Sequence, residues 1–288
     1  MQPLPERAFD VHDASTRRVG PISSLVDTIG ELWLRRNLVR QLVRRELGRS
    51  SANTLLGNLW WILDPLLQLA IYVLLVGVLF ERALPDYALF VFAALLPWKW
   101  FSSSMMASLG SVVGRERIIR QVPFPKIVLP VSSIMVHTVH LGFGLVILLV
   151  AMAILYPYRI SGTLLWVPLI AIVQLVLTLA VGIMLSAINV FYRDLTNLMR
   201  HALRLGFYLS PVLYGASLVE EKVHSEFLVV LYRLNPFVTL LESYRAAIYY
   251  GQSPEVLQLY AVLIASIFML LAALVLFRRA EPTFAKVL

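Results

Sequence analysis

The stretches 127–155, IVLPVSSIMVHTVHLGFGLVILLVAMAIL, and 164–191, LLWVPLIAIVQLVLTLAVGIMLSAINVF, decide the fold, because neither contains an Asp, Glu, Lys or Arg. A helix needs about 20 predominantly apolar residues to cross the hydrocarbon core of a bilayer, and both runs exceed that. Working outward, similar runs occupy 59–80, 88–113, 199–219 and 256–277. Pro65, Pro97, Pro130, Pro168 and Pro211 fall within or near the ends of these runs, where they kink or start a helix. Composition agrees: 59% of the 288 residues are hydrophobic and only 15% charged, against about 25% charged in a soluble domain. The expected architecture is an all-α integral membrane protein with six transmembrane helices.

The formal net charge of +8 suggests either nucleic acid or a membrane topology signal, and placement decides. Of the Lys and Arg residues, 9 precede the first run, 4 lie in 114–126, 3 in 192–204 and 3 in 278–288. The alternate loops carry only Arg82, Arg159, Lys222, Arg233 and Arg245, and Lys99 lies inside the second run. The excess marks the cytoplasmic side, so both termini are expected there and nucleic-acid binding is set aside. Residues 1–20 mix acidic and basic side chains without an apolar run, which predicts a flexible cytoplasmic tail rather than a signal peptide. Across 21–58 an apolar stripe runs beside Arg35, Arg36, Arg40, Arg44 and Arg45, the pattern of an amphipathic helix lying in the membrane interface. Residues 278–288 read as a second cytoplasmic tail.

Little in the chain points to chemistry. There is no cysteine and no G-x-x-x-x-G-K-[ST] phosphate loop. His137 and His140 are i, i+3 neighbours with no nearby carboxylate and read as packed polar residues rather than a metal site. Lys99, between Trp98 and Trp100, is either a contact for an anionic substrate or a side chain that snorkels or pairs with a carboxylate. The loop GRERIIRQVPFPK at 114–126 is short and basic, as if shaped for a cytoplasmic contact. The outer segment 220–255 is long, amphipathic and aromatic, and is expected to fold back as short re-entrant or gate helices.

Several motifs then fall in a familiar order. RREL (44–47) and LLGNLWWILDP (55–65), then Pro97, Trp98 and Phe101, lie before Phe124, Pro125, Lys126, Leu129 and Pro130. Tyr192, Arg193 and Asp194 follow, then Ser210, Pro211 and Tyr214, then Asn235 and Pro236 with Glu242 and Arg245. This order resembles the polysaccharide-exporting ABC-2-type transporter permeases, which include O-antigen, teichoic-acid and galactan exporters.

The resemblance implies a homodimer in the bacterial cytoplasmic (inner) membrane, joined by two cytoplasmic ABC ATPase subunits that hold the ATP and Mg. No cofactor or metal belongs to this chain, which is expected to be a transport subunit and not an enzyme. The substrate implied is a polyprenyl-diphosphate-linked polysaccharide moving outward. Its path would be lined from Trp60, Trp61, Trp98, Lys99, Trp100, Phe101, Tyr208 and Tyr214, since sugars present both apolar ring faces and hydroxyls. Asn235, Pro236, Phe237, Glu242 and Arg245 would belong to the outer gate. Arg115, Arg117, Ile118, Ile119, Arg120, Phe124 and Lys126 would couple to the ATPase, and Arg193 and Asp194 would form the inner turn. The Glu242/Arg245 pair also reads as a local i, i+3 salt bridge worth a few tenths of a kcal/mol, about 0.2–0.5. A membrane-embedded polyprenyl-phosphate sugar transferase and an ion-coupled secondary transporter are the alternatives. The first needs a carboxylate or metal cluster, and the second needs intramembrane acidic groups and internal repeats.

Overall fold

The structure, a computed structural model, describes residue 30 and residues 33–51, 57–79, 85–122 and 124–288. The expected tail at 1–20, parts of the 21–58 region and Arg82 lie outside the described residues. Within them the fold is helical throughout: α1 (Arg36–Ser51), α2 (Trp60–Leu79), α3 (Tyr87–Val113), α4 (Glu116–Gln121), α5 (Val128–Leu155) and α6 (Trp166–Phe191) are followed by shorter pieces. These are α7 (Leu195–Leu209), α8 (Ala216–Lys222), α9 (Glu226–Arg233) and α10 (Pro236–Arg245), with a π-helical turn at Ala246–Tyr250, before the long α11 (Val256–Val287).

Among the described residues, four helices are long and apolar enough to cross a membrane: α3, α5, α6 with the turn before it, and α11. The chain is therefore a multi-pass, all-α membrane protein. The run at 59–80 forms α2, and the run at 199–219 does not form one helix. α7 ends at Leu209, Ser210 is extended, and helix resumes only at Ala216. The physical cause is Pro211, which has no N–H to continue the ladder and disfavours a helical residue before it. The last run also differs from expectation. α11 continues through Pro282 to Val287, so 278–288 is not a separate tail but the end of a 32-residue helix.

α3 is the central mast. In its most apolar window 78% of the residues are buried, whereas the figure for α5 and for α11 is 22%. α5, α6, α2, α7 and α10 all pack on it. In hydrocarbon, apolar contact alone gives little preference for one helix over another, so close backbone approach and interhelical hydrogen bonds decide pairing. Three such bonds join α3 to α6. Gln174 Nε2 donates to Pro97 O at 2.8 Å, Ser108 Oγ to Gly182 O at 2.8 Å, and Asn189 Nδ2 to Leu109 O at 2.9 Å. Gly182 permits a close approach here: a Cβ would stand 2.8 Å from Ile134 Cδ1 and 3.0 Å from Ser108 Oγ, and those side chains would have to shift.

Two apolar clusters result. One surrounds α3 and reaches α10 through Phe237, Leu240, Leu241 and Tyr244. The other gathers Ile119, Ile127, Leu129, Val190, Phe277, Phe284 and Leu288 at the opposite, basic end.

Candidate functional site

The broken segment after α7 is held chiefly by one side chain, beside which Tyr87 OH donates to Leu213 O at 3.0 Å. Arg245, at the end of α10, is fully buried. Its Nη1 donates to Tyr214 O at 2.7 Å and to Glu242 Oε1 at 2.9 Å, its Nη2 to Val212 O at 2.7 Å, and its Nε to Phe90 O at 3.3 Å. The guanidinium also lies 3.9 Å from the centroid of the Phe90 ring. Glu242 Oε1 accepts the Ala216 N–H at 3.0 Å as well. The pair is thus far more than a local helix-surface bridge: it ties α10 to α3 and satisfies the carbonyls that the break at 210–215 leaves open. An arginine suits this because its planar fork presents several donors in fixed directions.

Asn235 and Pro236 explain where α10 starts. Asn235 Oδ1 accepts the Phe237 N–H at 3.0 Å, a side-chain N-cap, and Pro236 occupies the first turn, where its missing N–H costs nothing. Asn235 Nδ2 donates to Ser210 Oγ at 2.9 Å, a second tie between α10 and the break. Phe237 packs on Phe101 at 4.4 Å and on Trp98 at 5.0 Å between centroids. The five expected gate residues therefore converge on one junction. Beside it, α8 to α11 enclose an open cavity of about 1030 Å³, lined by Ser217, Arg233, Thr239, Glu242, Tyr250 and Gln258 among others.

The eight expected path residues do not share one surface. Trp98, Trp100 and Phe101 are buried in the core, and Gly206 on α7 lets the Trp98 ring approach closely. Trp60 and Tyr208 are exposed, and Tyr214 is half-buried with its hydroxyl donating to Tyr208 O at 3.0 Å. The side chain of Trp61 lies outside the described residues. Lys99 Nζ forms an ion pair with the Asp64 carboxylate, joining α3 to α2. Of the two readings of Lys99, the structure shows the pairing.

The loop at 114–126 contains the short helix α4. Of its apolar side chains, Ile119 is buried and Phe124 packs on the basic-end cluster, whereas Ile118, at 50% exposure, projects outward. Val122 beside it is equally exposed. Arg117 is exposed, and Arg120 pairs with Glu116 one turn away at 2.9 Å. Arg115 reaches Glu46 on α1 at 3.3 Å, and Lys126 pairs with Glu281 on α11 at 3.7 Å. Arg193 and Asp194 are exposed in the turn between α6 and α7, where the Asp194 carbonyl accepts the N–H groups of Asn197 and Leu198.

Sequence reasoning missed a second cluster, at the end away from 114–126. Asp86 caps α3 in the left-handed conformation, φ 55°, which Asp tolerates better than most residues. Its carboxylate accepts from Arg159 Nε at 3.0 Å, Arg159 Nη2 at 2.9 Å and Tyr158 OH at 2.7 Å. Arg159 Nη1 donates to Tyr249 O at 3.1 Å, and Tyr249 OH returns to Pro85 O at 2.6 Å. The Tyr158 hydrogen bond, then the Arg159 guanidinium, hold the Asp86 carboxyl below its ordinary value despite desolvation. This clasp ties the start of α3, the α5–α6 connection and the π-helical turn. The one sequence signal was a lone Arg beside a Tyr in the otherwise uncharged connection between the runs at 127–155 and 164–191.

Nothing in these arrangements resembles a reaction centre. Among the described residues no group of three or more His, Cys, Asp or Glu could hold a metal ion. The geometry is that of a helical membrane body with a tied junction at one end and a basic, partly apolar loop at the other.

Comparison with known proteins agrees with this. Residues 37–249 match the ABC-2 type transporter family. The chain is 32% identical over 262 residues to the O-antigen export system permease protein RfbA of Myxococcus xanthus, covering 91% of this chain and 99% of that one. It is 32% identical over 212 residues to the protein of the same name from Klebsiella pneumoniae, covering 73% and 79%. The polysialic acid transport protein KpsM of Escherichia coli is more distant, at 22% identity over 84% of this chain and 93% of that one. On a family match spanning most of its length, the chain belongs to the ABC-2 type transporter family.

Proposed function

We propose that this chain is the membrane-spanning permease of an ATP-driven exporter, moving a lipid-linked polysaccharide of O-antigen type outward across the inner membrane. The observation that carries this is the end-to-end relation to the Myxococcus xanthus O-antigen export permease. Galactan and teichoic-acid carriers fall in the same chemical class, a glycan chain on a lipid diphosphate. In this reading the chain dimerises and crosses the membrane six times, α2 and the α7–α8 segment supplying the two crossings beyond the four long helices. The basic end faces the cytoplasm, because 114–126, 192–204 and 278–288 carry the cationic excess.

The work comes from a separate ATPase, which meets the loop at 114–126. Interfaces concentrate their energy in a few buried anchors, while rim charges contribute less. Ile118 and Val122 are the exposed apolar side chains of that loop, with Arg117 at their edge, and they serve as its anchors. Ile119 and Phe124 act from below by holding α4 in place. The Arg245 junction and the cavity beside it form the outer gate, and Trp60, Lys99, Tyr208 and Tyr214 are the expected path residues that remain at least partly accessible.

The test is a membrane preparation in which the permease is tagged and its genomic ATPase partner co-expressed. The partner should co-purify, and depletion of the permease should leave lipid-linked glycan on the inner leaflet. Ile118→Ala with Val122→Ala should reduce the retained ATPase by about tenfold, the factor that corresponds to ~1.4 kcal/mol. Because the native chain has no cysteine, Ser225→Cys should react with an impermeant thiol reagent in intact cells and Arg117→Cys should not. Labelling of Arg117→Cys from outside overturns the orientation, and an ATPase that never associates overturns the function.

A further inference from the structure

The end of α11 is tied to the basic end of the body. It folds against the segment joining α4 to α5. Glu281 Oε1 accepts the backbone N–H of Lys126 at 2.7 Å and lies 3.7 Å from Lys126 Nζ. Three residues on, Phe284 is fully buried, with its ring 5.3 Å from Phe277 and 6.2 Å from Phe191, and Leu288 is buried in the same cluster. Ile119 of α4 and Ile127 and Leu129 at the start of α5 belong to that cluster, and Phe124 packs on it.

α5 begins at Val128, and Ile127 before it offers no side-chain cap. The Val128 and Leu129 N–H groups turn back to Pro125 O at 3.3 Å and Lys126 O at 3.0 Å, and Pro130 has no N–H. The Lys126 N–H, just before the helix, is taken instead by the Glu281 carboxylate of α11, whose negative charge sits near a helix start, where the dipole favours it. An ionised acceptor makes this bond stronger than a neutral one.

We propose that Glu281 is a positioning residue for energy coupling. It clamps the segment between α4 and α5 to α11, so that displacement of α4 is passed to a rigid rod instead of being absorbed by a loose connection. The rod is continuous: α11 runs from Val256 to Val287, and at its far end Gln258, Val262 and Ser266 line the outer cavity. One helix therefore carries the clamp at its basic end and a wall of the outer junction at the other. The inference rests on the reading of 114–126 as the ATPase contact, and its test separates the two.

The measurement is ATP hydrolysed per glycan chain exported, in vesicles holding the full transporter with its ATPase. Glu281→Ala should raise that ratio by about tenfold, equivalent to ~1.4 kcal/mol of lost coupling, while the ATPase stays bound. Glu281→Gln keeps an oxygen acceptor at the same place and should stay near the wild-type ratio. Thr283→Ala, an exposed neighbour on the same turn, should change nothing. Should Glu281→Ala fail to assemble, Glu281→Asp, one methylene shorter, should show an intermediate ratio. An unchanged ratio in Glu281→Ala or Glu281→Asp, with assembled complex merely less abundant, assigns Glu281 a structural role and overturns the proposal. So does a Gln variant as uncoupled as the Ala variant. If Ile118→Ala with Val122→Ala releases the ATPase while Glu281→Ala leaves the ratio unmoved, only the clamp fails. If the ATPase ignores both loop substitutions, the loop assignment fails first.

Discussion

Replacing Arg245 by methionine isolates the energetic weight of the outer junction. Methionine fills much of the same volume but removes every donor. Four acceptors are then stripped of a partner: the carbonyls of Phe90, Val212 and Tyr214, and Glu242 Oε1. A stranded buried acceptor costs about 1–3 kcal/mol, and breaking a buried charge pair about 3–5 kcal/mol. Glu242 keeps the Ala216 N–H and its side chain is 29% exposed, so its share lies at the low end. Effects within one network do not add, and the expected total is about 5 kcal/mol. At roughly 2–4 °C per kcal/mol for a chain of this size, the midpoint should fall by roughly 10 °C or more. Unfolding of a membrane protein is commonly irreversible, so the half-life at one fixed temperature should be read beside the melting curve in detergent. Arg245→Lys keeps the charge but not the fork, and should recover only part of the loss. Glu242→Gln added to Arg245→Met removes the unpaired charge and should be no worse than Arg245→Met alone. A midpoint for Arg245→Met within about 2 °C of wild type, less than one kcal/mol on the same scale, refutes the account of this side chain as the tie that closes the break.

Two other perturbations probe the remaining charge clusters. The Asp86 carboxyl is depressed below its ordinary 3.8, so its stabilisation is fully present above that value and is lost as the pH falls through the folded-state value. The difference in melting midpoint between wild type and Asp86→Asn should therefore be flat from neutral pH down to about 5 and shrink below about 4; a difference that grows in acid contradicts the assignment. For Lys99 and Asp64, Lys99→Leu leaves a carboxylate without its cation, so Lys99→Leu with Asp64→Leu together should be more stable than Lys99→Leu alone, as measured by a double-mutant cycle on melting. Export at the wild-type rate by the double variant removes Lys99 from the path.

The sequence showed the membrane class and the long helices, and its motif order grouped the residues of the Arg245 junction, because each leaves a long-range signature. A run of 29 uncharged residues at 127–155 has one physical solution, and the motif order placed Asn235 to Arg245 in one region. Pairings across helices leave no such mark. Nothing local to Arg245 says that its partners are the carbonyls of residues 90, 212 and 214, since carbonyls are common to every residue. Ile119 and Phe124 looked like equals of Ile118 along the chain, yet the turn of α4 and the cluster beneath it bury Ile119, partly cover Phe124 and leave Ile118 exposed. Trp98 and Trp100 read as path residues, and both lie in the core, Trp98 in a space that Gly206, Phe207 and Phe237 shape. The continuation of α11 through Pro282 was hidden by a residue that usually ends helices.

The interruption after Leu209 also restricts where lipid can be. A helix of 15 residues is about 22 Å long, so α7 set along the membrane normal ends short of a hydrocarbon core about 30 Å thick. Extended backbone cannot face acyl chains, because its amides and carbonyls would have nothing to bond. Residues 210–215 must then look onto protein or onto water. Arg245, Glu242 and Asn235 meet that need on one side. Ser210, Pro211 and Val212 are buried, so the requirement falls on the half-buried residues 213–215, whose surroundings at membrane depth must be protein or water and not acyl chains.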